Sequence, residues 1–217
     1  EAKILVLTTF DGDADIQRAL EAGARGYLLK SVRRAILIEA VRAVDAGHRY
    51  LPPAINKAIE AGIPVVTLDA EVYGSKRLTF LGTGNVNAGH AGAKLLAESI
   101  GGKGKVALIT KVGQSNLEER IKGYQDEFAA NYPGIEVVQI INDDSDSAKA
   151  ADGLKAVLQR FPDLAGVGCV EAAGGVGAAT AAKELNLVGK LQIVSMDRDD
   201  GTLKFIEDGV IKASVAQ

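Results

Sequence analysis

The stretch that decides the fold is RLTFLGTGNVNAGHAGAKLLAESIGGKGKVALIT, residues 77–110. It begins with an apolar segment at 78–81, turns at glycine and asparagine residues, and continues with small apolar residues at helical spacing. The helical pattern ends at the glycine-rich segment 101–104, and a new apolar strand begins at Val106. We therefore predict a strand, a helix and a strand in series, with segment 101–104 as the connection between two α/β lobes.

The composition is that of an ordinary globular protein. The 217 residues are 47% hydrophobic and 24% charged, and the net charge is −3. This balance gives no reason to expect nucleic acid or an anionic membrane as a partner. All apolar runs are shorter than the roughly 18–20 residues that span a bilayer. With Cys169 as the single cysteine, an internal disulfide is excluded.

Strand and helix patterns alternate along most of the chain. In the first half, apolar strands are predicted at 3–10, 27–29, 64–69 and 78–81. In the second half, strands are predicted at 105–110, 135–142, 166–171, 191–197 and 211–216, with helices at 115–131, 147–161, 175–185 and 200–208. Near-continuous apolar strands separated by helices favour a doubly wound parallel sheet.

Residues 1–53 resemble the second half of a response-regulator receiver domain. The matching segments are VLTTF (6–10), ALEAGARGYLLK (19–30) and AGHRYLPP (46–53). In that family, the hydroxyl matching Thr8 and the lysine matching Lys30 assist the phosphorylation of an aspartate. We expect no phosphotransfer here, because the half of the receiver that carries the acceptor aspartate and the magnesium ligands has no counterpart in this sequence.

Residues 54–217 resemble the periplasmic sugar-binding proteins of the ribose/galactose type. The motifs follow the order of that family and are AINKAIEAGIPVVTLD (54–69), GTGNVNAGHAG (82–92), GGKGKVALIT (101–110), ERIKGYQDEF (119–128), GVGCVEAAGGVGAA (166–179), IVSMD (193–197) and EDGVIKASVAQ (207–217). Together, the two resemblances predict an engineered chimera, in which a receiver half replaces the start of a sugar-binding protein. No signal-peptide pattern opens the chain and the two parent families occupy different compartments, so its localisation is undetermined.

Polar residues stand where predicted strands end, which is where ligands bind in open parallel sheets. They are Asp69, Thr83, Asn85, Glu171 and Asp197. Carboxylates and amides accept protons from sugar hydroxyls, and an arginine donates in return.

The resemblance implies a specific set of sugar contacts. These are Asp69, Arg120, Glu171, Asp197 and Gln217, with Glu171 standing where asparagine is common in the family. Each has a plain structural alternative: the aspartates as caps of the next turn, Arg120 as a solvated helix charge, and Gln217 as a frayed terminus.

The remaining motifs favour structural roles. The run at 143–146, DDSD, is interpreted as a solvated loop with a helix N-cap rather than a calcium site, since it lacks the other loop ligands. The glycines of 174–177 favour close packing of a helix on its sheet. Cys169 is expected to be a buried small hydrophobe. His48 and His90 are too isolated to form a metal site, and no cofactor, metal or catalytic residue is predicted.

These patterns predict two doubly wound parallel-sheet lobes. Residues 1–101 form a hybrid flavodoxin-like lobe, in which the receiver-derived strands of 1–53 complete the sheet of 54–101. Residues 105–217 form the second lobe of a sugar-binding protein. We expect a fold-evolution chimera without enzymatic or native activity, with remnants of a cleft that binds a small sugar weakly. The alternatives are a working monosaccharide-binding protein or sensor, and a homodimer formed through the receiver-derived helix 31–47.

Overall fold

The computed structural model describes residues 3–8, 18–19, 21–30, 32, 34–48, 50, 66–68 and 78–216. These residues belong to two compact units, unit 1 (1–82 and 113–115) and unit 2 (83–112 and 116–217). Predictions that fall elsewhere, including those for Asp69 and Gln217, lie outside the described residues.

Unit 1 contains short parallel strands and a helix. Its described elements are β1 (Leu5–Thr8), β2 (Gly26–Leu29), α1 (Arg34–Asp45), β3 (Val66–Leu68) and β4 (Thr79–Leu81). Strand β1 pairs with β2, and β3 pairs with β4, both in parallel. Helix α1 packs on the first pair through Ala40 and Val44, which share a buried cluster with Leu28 and Tyr50.

The described strands of unit 1 form two pairs, the sheet β1-β2 and the sheet β3-β4. That the receiver-derived strands complete the sheet of 54–101 stays a prediction. Tyr50 occupies an edge of β2. It forms a parallel bridge with Gly26, and its N–H donates to the Arg25 carbonyl at 2.7 Å.

Unit 2 is built on a five-stranded parallel sheet with the order β6-β5-β7-β8-β9. Its strands are β5 (Lys103–Thr110), β6 (Gly134–Asn142), β7 (Leu164–Cys169), β8 (Gln192–Met196) and β9 (Ala213–Val215). Its helices are α2 (Asn85–Ser99), α3 (Ser115–Asn131), α4 (Ser147–Arg160), α5 (Ala172–Glu184) and α6 (Asp200–Glu207). The predicted parallel α/β fold is confirmed, as is the alternation of strands and helices.

Both faces of the unit 2 sheet are covered, which explains the continuous apolar runs of its strands. Along β5, Val106 and Leu108 point into a cluster with α2 and α3. Ala107 and Ile109 point into the opposite cluster with α4 and α5. This alternation follows the two-residue period of a strand.

The division between the units precedes α2, whereas the predicted lobe boundary lay at 101–104. Helix α2 packs on the unit 2 sheet, with Leu96 in the same buried cluster as Val106 and Val194. It also crosses α3 closely, since a Cβ on Gly89 would lie 2.1 Å from the Arg120 carbonyl oxygen. Segment 101–104 therefore lies inside unit 2, where residues 101–102 form a turn and residues 103–104 begin β5.

Among the described residues, no helix is both long and apolar enough to cross a membrane.

Candidate functional site

The carboxyl edge of the unit 2 sheet carries several of the polar residues that the sequence singled out. Because all its strands are parallel, the segments that follow them share one edge of the sheet. Asp143 follows β6, Glu171 comes shortly after β7, and Asp197 follows β8. Arg120 reaches the same edge from α3, as its contacts show. We call this region the carboxyl edge.

Arg120 is buried and held in a fixed orientation. Only 2% of the residue is exposed. Its Nε donates to Asn85 Oδ1 at 2.9 Å, and its Nη1 donates to the carbonyl of Val170 at 2.8 Å. The interpretation of Arg120 as a solvated helix charge is therefore wrong. Asn85, at the start of α2, is itself buried and fixes the guanidinium plane.

Asp197 adopts a backbone conformation that is unusual for a residue other than glycine. Its φ is 71°, in the left-handed region, which aspartate tolerates better than most residues. The turn is tied to β9, because the Asp197 N–H donates to the Val215 carbonyl at 2.9 Å and Ser214 Oγ donates to the Asp197 carbonyl at 2.6 Å. The side chain of Asp197 is thereby presented at the end of β8.

Glu171 lies at the N-terminus of α5 but does not cap the helix with its side chain. Its Oε2 accepts a hydrogen bond from Ser145 Oγ at 2.7 Å. Ser145 also donates from its N–H to Asp143 Oδ1, so one residue contacts both carboxyl groups. Burial, and secondarily Asp143, raises the pKa of Glu171 to about 7, although Ser145 and Lys111 act in the opposite direction.

The aspartate run at 143–146 divides into two roles. Asp146 caps α4, accepting from the N–H groups of Ala148 and Lys149, so the predicted N-cap is confirmed. The interpretation of Asp143 as a solvated loop residue is wrong, because it is fully buried. Its Oδ1 accepts from the Ser145 N–H at 3.1 Å. The pattern that singles out Glu171, a carboxylate just after a parallel strand, is also present at Asp143.

The glycines of 174–177 and Cys169 have the structural roles that were predicted. A Cβ on Gly175 would lie 1.9 Å from Ser195 Oγ, and one on Gly177 would lie 2.4 Å from the Ser147 carbonyl oxygen. Helix α5 therefore packs tightly on β8 and α4. Cys169 is buried in the apolar core, and burial raises the pKa of its thiol.

No metal-binding group is found among the residues that the structure describes. None of their histidine, cysteine, aspartate and glutamate side chains form a cluster of three or more that could hold an ion. His90 instead pairs with Glu127, with 3.0 Å between Nδ1 and Oε2, and so links α2 to α3.

Comparison with known proteins links the chain to sugar-binding proteins. It is 30% identical over 172 residues to the D-allose-binding periplasmic protein of Escherichia coli (strain K12), covering 75% of this chain and 55% of the relative. An arabinose-binding protein from Geobacillus stearothermophilus has a similar structure, with a TM-score of 0.70 and 30% identity, covering 100% of this chain and 82% of that protein. The chain thus spans little more than half the length of this curated sugar-binding relative.

The N-terminal segment resembles a different class of protein. The transcriptional regulatory protein LnrK of Bacillus subtilis (strain 168) is 47% identical over 54 residues, which are 25% of this chain and 24% of LnrK. The resemblance to receiver domains is therefore confirmed for this segment. The family model described as periplasmic binding protein domain matches residues 34–217. The chain belongs to the periplasmic binding protein family.

Proposed function

We propose that the carboxyl edge of unit 2 binds a monosaccharide through Arg120, Glu171 and Asp197. Asp69 and Gln217 lie outside the described residues and stay predictions from the sequence resemblance. The observation that carries this proposal is the buried guanidinium of Arg120. Removing a charged group from water costs free energy, which is recovered only when its hydrogen bonds are made. An arginine fixed by Asn85 and Val170 at the edge where parallel sheets bind ligands is suited to donate to sugar hydroxyls.

We further propose that the chain is an engineered chimera of a receiver half and a sugar-binding protein, with weakened binding and no catalytic role. The family match begins at residue 34, and the preceding sequence resembles a receiver. Contacts that this part of a sugar-binding protein would supply are then replaced. Each lost buried polar contact costs about 1–3 kcal/mol, so the loss of several would weaken a micromolar site to the millimolar range or beyond.

Isothermal titration calorimetry tests both statements. We expect millimolar affinity for at least one of D-allose, D-ribose, D-arabinose, D-galactose, D-glucose and D-xylose, and no binding by Arg120→Ala. Lys122→Ala is the matched control, since Lys122 lies on the same helix but is exposed and pairs with Asp126. Micromolar binding of any of these sugars would contradict the weakened site. Equal heats from Arg120→Ala and the unchanged chain would contradict the assignment of the edge.

The homodimer through the receiver-derived helix remains a prediction. The observation in its favour is that α1 buries Ala40 and Val44 while Ile38 and Val41 stay exposed on the same helix.

A further inference from the structure

At the carboxyl edge, Ser145 contacts two carboxyl groups, that of the buried Asp143 and that of the half-buried Glu171. Asp143 Oδ2 and Glu171 Oε1 are both buried, and neither has a hydrogen-bond partner among the described residues. Asp143 and Ser145 come from the loop after β6 and Glu171 from the loop after β7, so the Ser145–Glu171 hydrogen bond joins two loops that are far apart in sequence. Two ionised carboxylates in this position would repel each other and leave two buried acceptors without donors.

We propose that Asp143 is a positioning residue that holds a proton on Glu171, so that Glu171 presents a neutral carboxyl group at the edge. The shared proton converts the two orphaned acceptors into one O–H···O hydrogen bond between the side chains. Glu171 then has a hydroxyl donor as well as its acceptor oxygens. The use of this hydroxyl in sugar recognition rests on the proposed function, whereas the protonation of Glu171 does not.

The other groups around the pair fix its geometry and set the balance of charge. Ser145 contacts both members, since its N–H donates to Asp143 Oδ1 and its Oγ donates to Glu171 Oε2. Ser145 holds this position in the left-handed region, with φ of 57°. The charged and titratable groups that face Glu171 are Lys111, after β5, and the Cys169 thiol, at the end of β7. The Lys111 cation opposes protonation, and Asp143 favours it.

A proton held in this way links folding to pH with a definite sign. The pKa of Glu171 rises from its ordinary value of 4.5 to about 7, mainly through burial. Between these values, the folded chain holds a proton that the unfolded chain releases. The resulting stabilisation is complete below pH 4.5 and is lost as the pH rises through about 7.

The test is a carboxyl ¹³C NMR titration of Glu171 in the full 217-residue chain without sugar, with thermal unfolding from pH 5 to 8. We expect a titration midpoint near 7, which Asp143→Asn moves towards 4.5 and Ser145→Ala moves upward. Glu171→Gln should remove the fall in melting temperature over this pH range. Asp144→Asn is the matched control, because Asp144 is exposed on the same loop and pairs with Lys149.

Three results would overturn the proposal. The first is a titration midpoint of Glu171 near 4.5 in the unchanged chain. This measurement does not depend on the folding of any variant. The second is a midpoint that Asp143→Asn leaves in place. The third is an increase in melting temperature at pH 8 on addition of Ca²⁺ or Mg²⁺, seen in the unchanged chain but not in Glu171→Gln. That result would mean that a cation, rather than a proton, lies between the two carboxylates. Failure of sugar binding would leave all three measurements unaffected.

Discussion

Units 1 and 2 use the same parallel strand pairing, but they differ in how their strands are joined. In unit 2, strands β5 to β9 form one sheet with a buried cluster on each face. In unit 1, the described strands are three or four residues long and form two separate pairs. Each described pair of unit 1 joins strands from one of the two resemblances. Strands β1 and β2 lie in the receiver-like segment, and β3 and β4 in the segment that resembles sugar-binding proteins.

The largest expected effect comes from removing core side chains in each unit separately. Leu154 is fully buried in unit 2, and Leu154→Ala should lower the free energy of unfolding of that unit by about 2–5 kcal/mol. Val44 is buried in unit 1, and Val44→Ala removes only two methyl groups. This change should lower the free energy of unfolding of unit 1 by about 1–2 kcal/mol. Amide hydrogen exchange, followed by segment in rising urea, measures the two units separately.

Each substitution should accelerate exchange only in its own unit, because the two clusters share no residues. Leu154→Ala should leave β1, β2 and α1 protected, and Val44→Ala should leave β5 to β9 protected. Accelerated exchange throughout the chain in either variant would mean that the two units unfold as one. Separate stabilities could then not be assigned to units 1 and 2.

A smaller effect is expected where α2 crosses α3. A Cβ on Gly123 would lie 2.2 Å from the Val86 carbonyl oxygen, so Gly123→Ala forces two helix backbones apart. We expect a loss of about 1–3 kcal/mol in the free energy of unfolding, measured by urea denaturation. Gln125→Ala, at an exposed position on the same helix, should be nearly neutral. Equal stability of the two variants would show that α2 is not docked in this way.

This crossing also shows why the lobe boundary predicted at 101–104 differs from the division before α2. Alanines and glycines at helical spacing predict a helix in α2, and that prediction is confirmed. The same pattern does not say which sheet the helix packs on, because small residues suit any close contact. That choice depends on the fit of Gly89 and Gly123, which lie far apart in sequence.

The carboxyl edge could be predicted from sequence where a general rule applies. Parallel strands place their carboxyl ends together, and this rule alone brings Glu171 and Asp197 to one edge. Asp143 also follows a strand, but aspartates in a run are usually solvated, and only tertiary packing buries this one. The hydrogen bond that holds Arg120 to Asn85 likewise joins residues that are distant in sequence.

The sequence does not define a sharp boundary between the receiver-like part of the chain and the part that resembles sugar-binding proteins. The receiver resemblance extends to residue 53, yet the binding-protein family model already begins at residue 34. Helix α1, at Arg34–Asp45, therefore satisfies both patterns. A helix with one buried face is required after a parallel strand in either family, so its amphipathic pattern does not identify its origin.

The smallest expected effect compares one buried tyrosine in each unit. Tyr124 in unit 2 and Tyr50 in unit 1 are buried, and neither hydroxyl has a hydrogen-bond partner among the described residues. Burial raises the pKa of both phenols, which reflects the missing solvation. Removing an unpaired hydroxyl removes its desolvation cost, so Tyr124→Phe and Tyr50→Phe should each change the free energy of unfolding by zero to about +1 kcal/mol.

Urea denaturation measures both variants against the unchanged chain. The ring of Tyr124 should keep its edge-to-face contact with Phe128, at 5.8 Å between centroids, so packing is preserved and only the hydroxyl is tested. A loss of stability in Tyr50→Phe alone would show that the unit 1 hydroxyl has a partner after all. The core of unit 1 would then contain a hydrogen bond of the Tyr50 hydroxyl that the described residues do not show. The two buried tyrosines would therefore differ in whether their hydroxyl groups are paired.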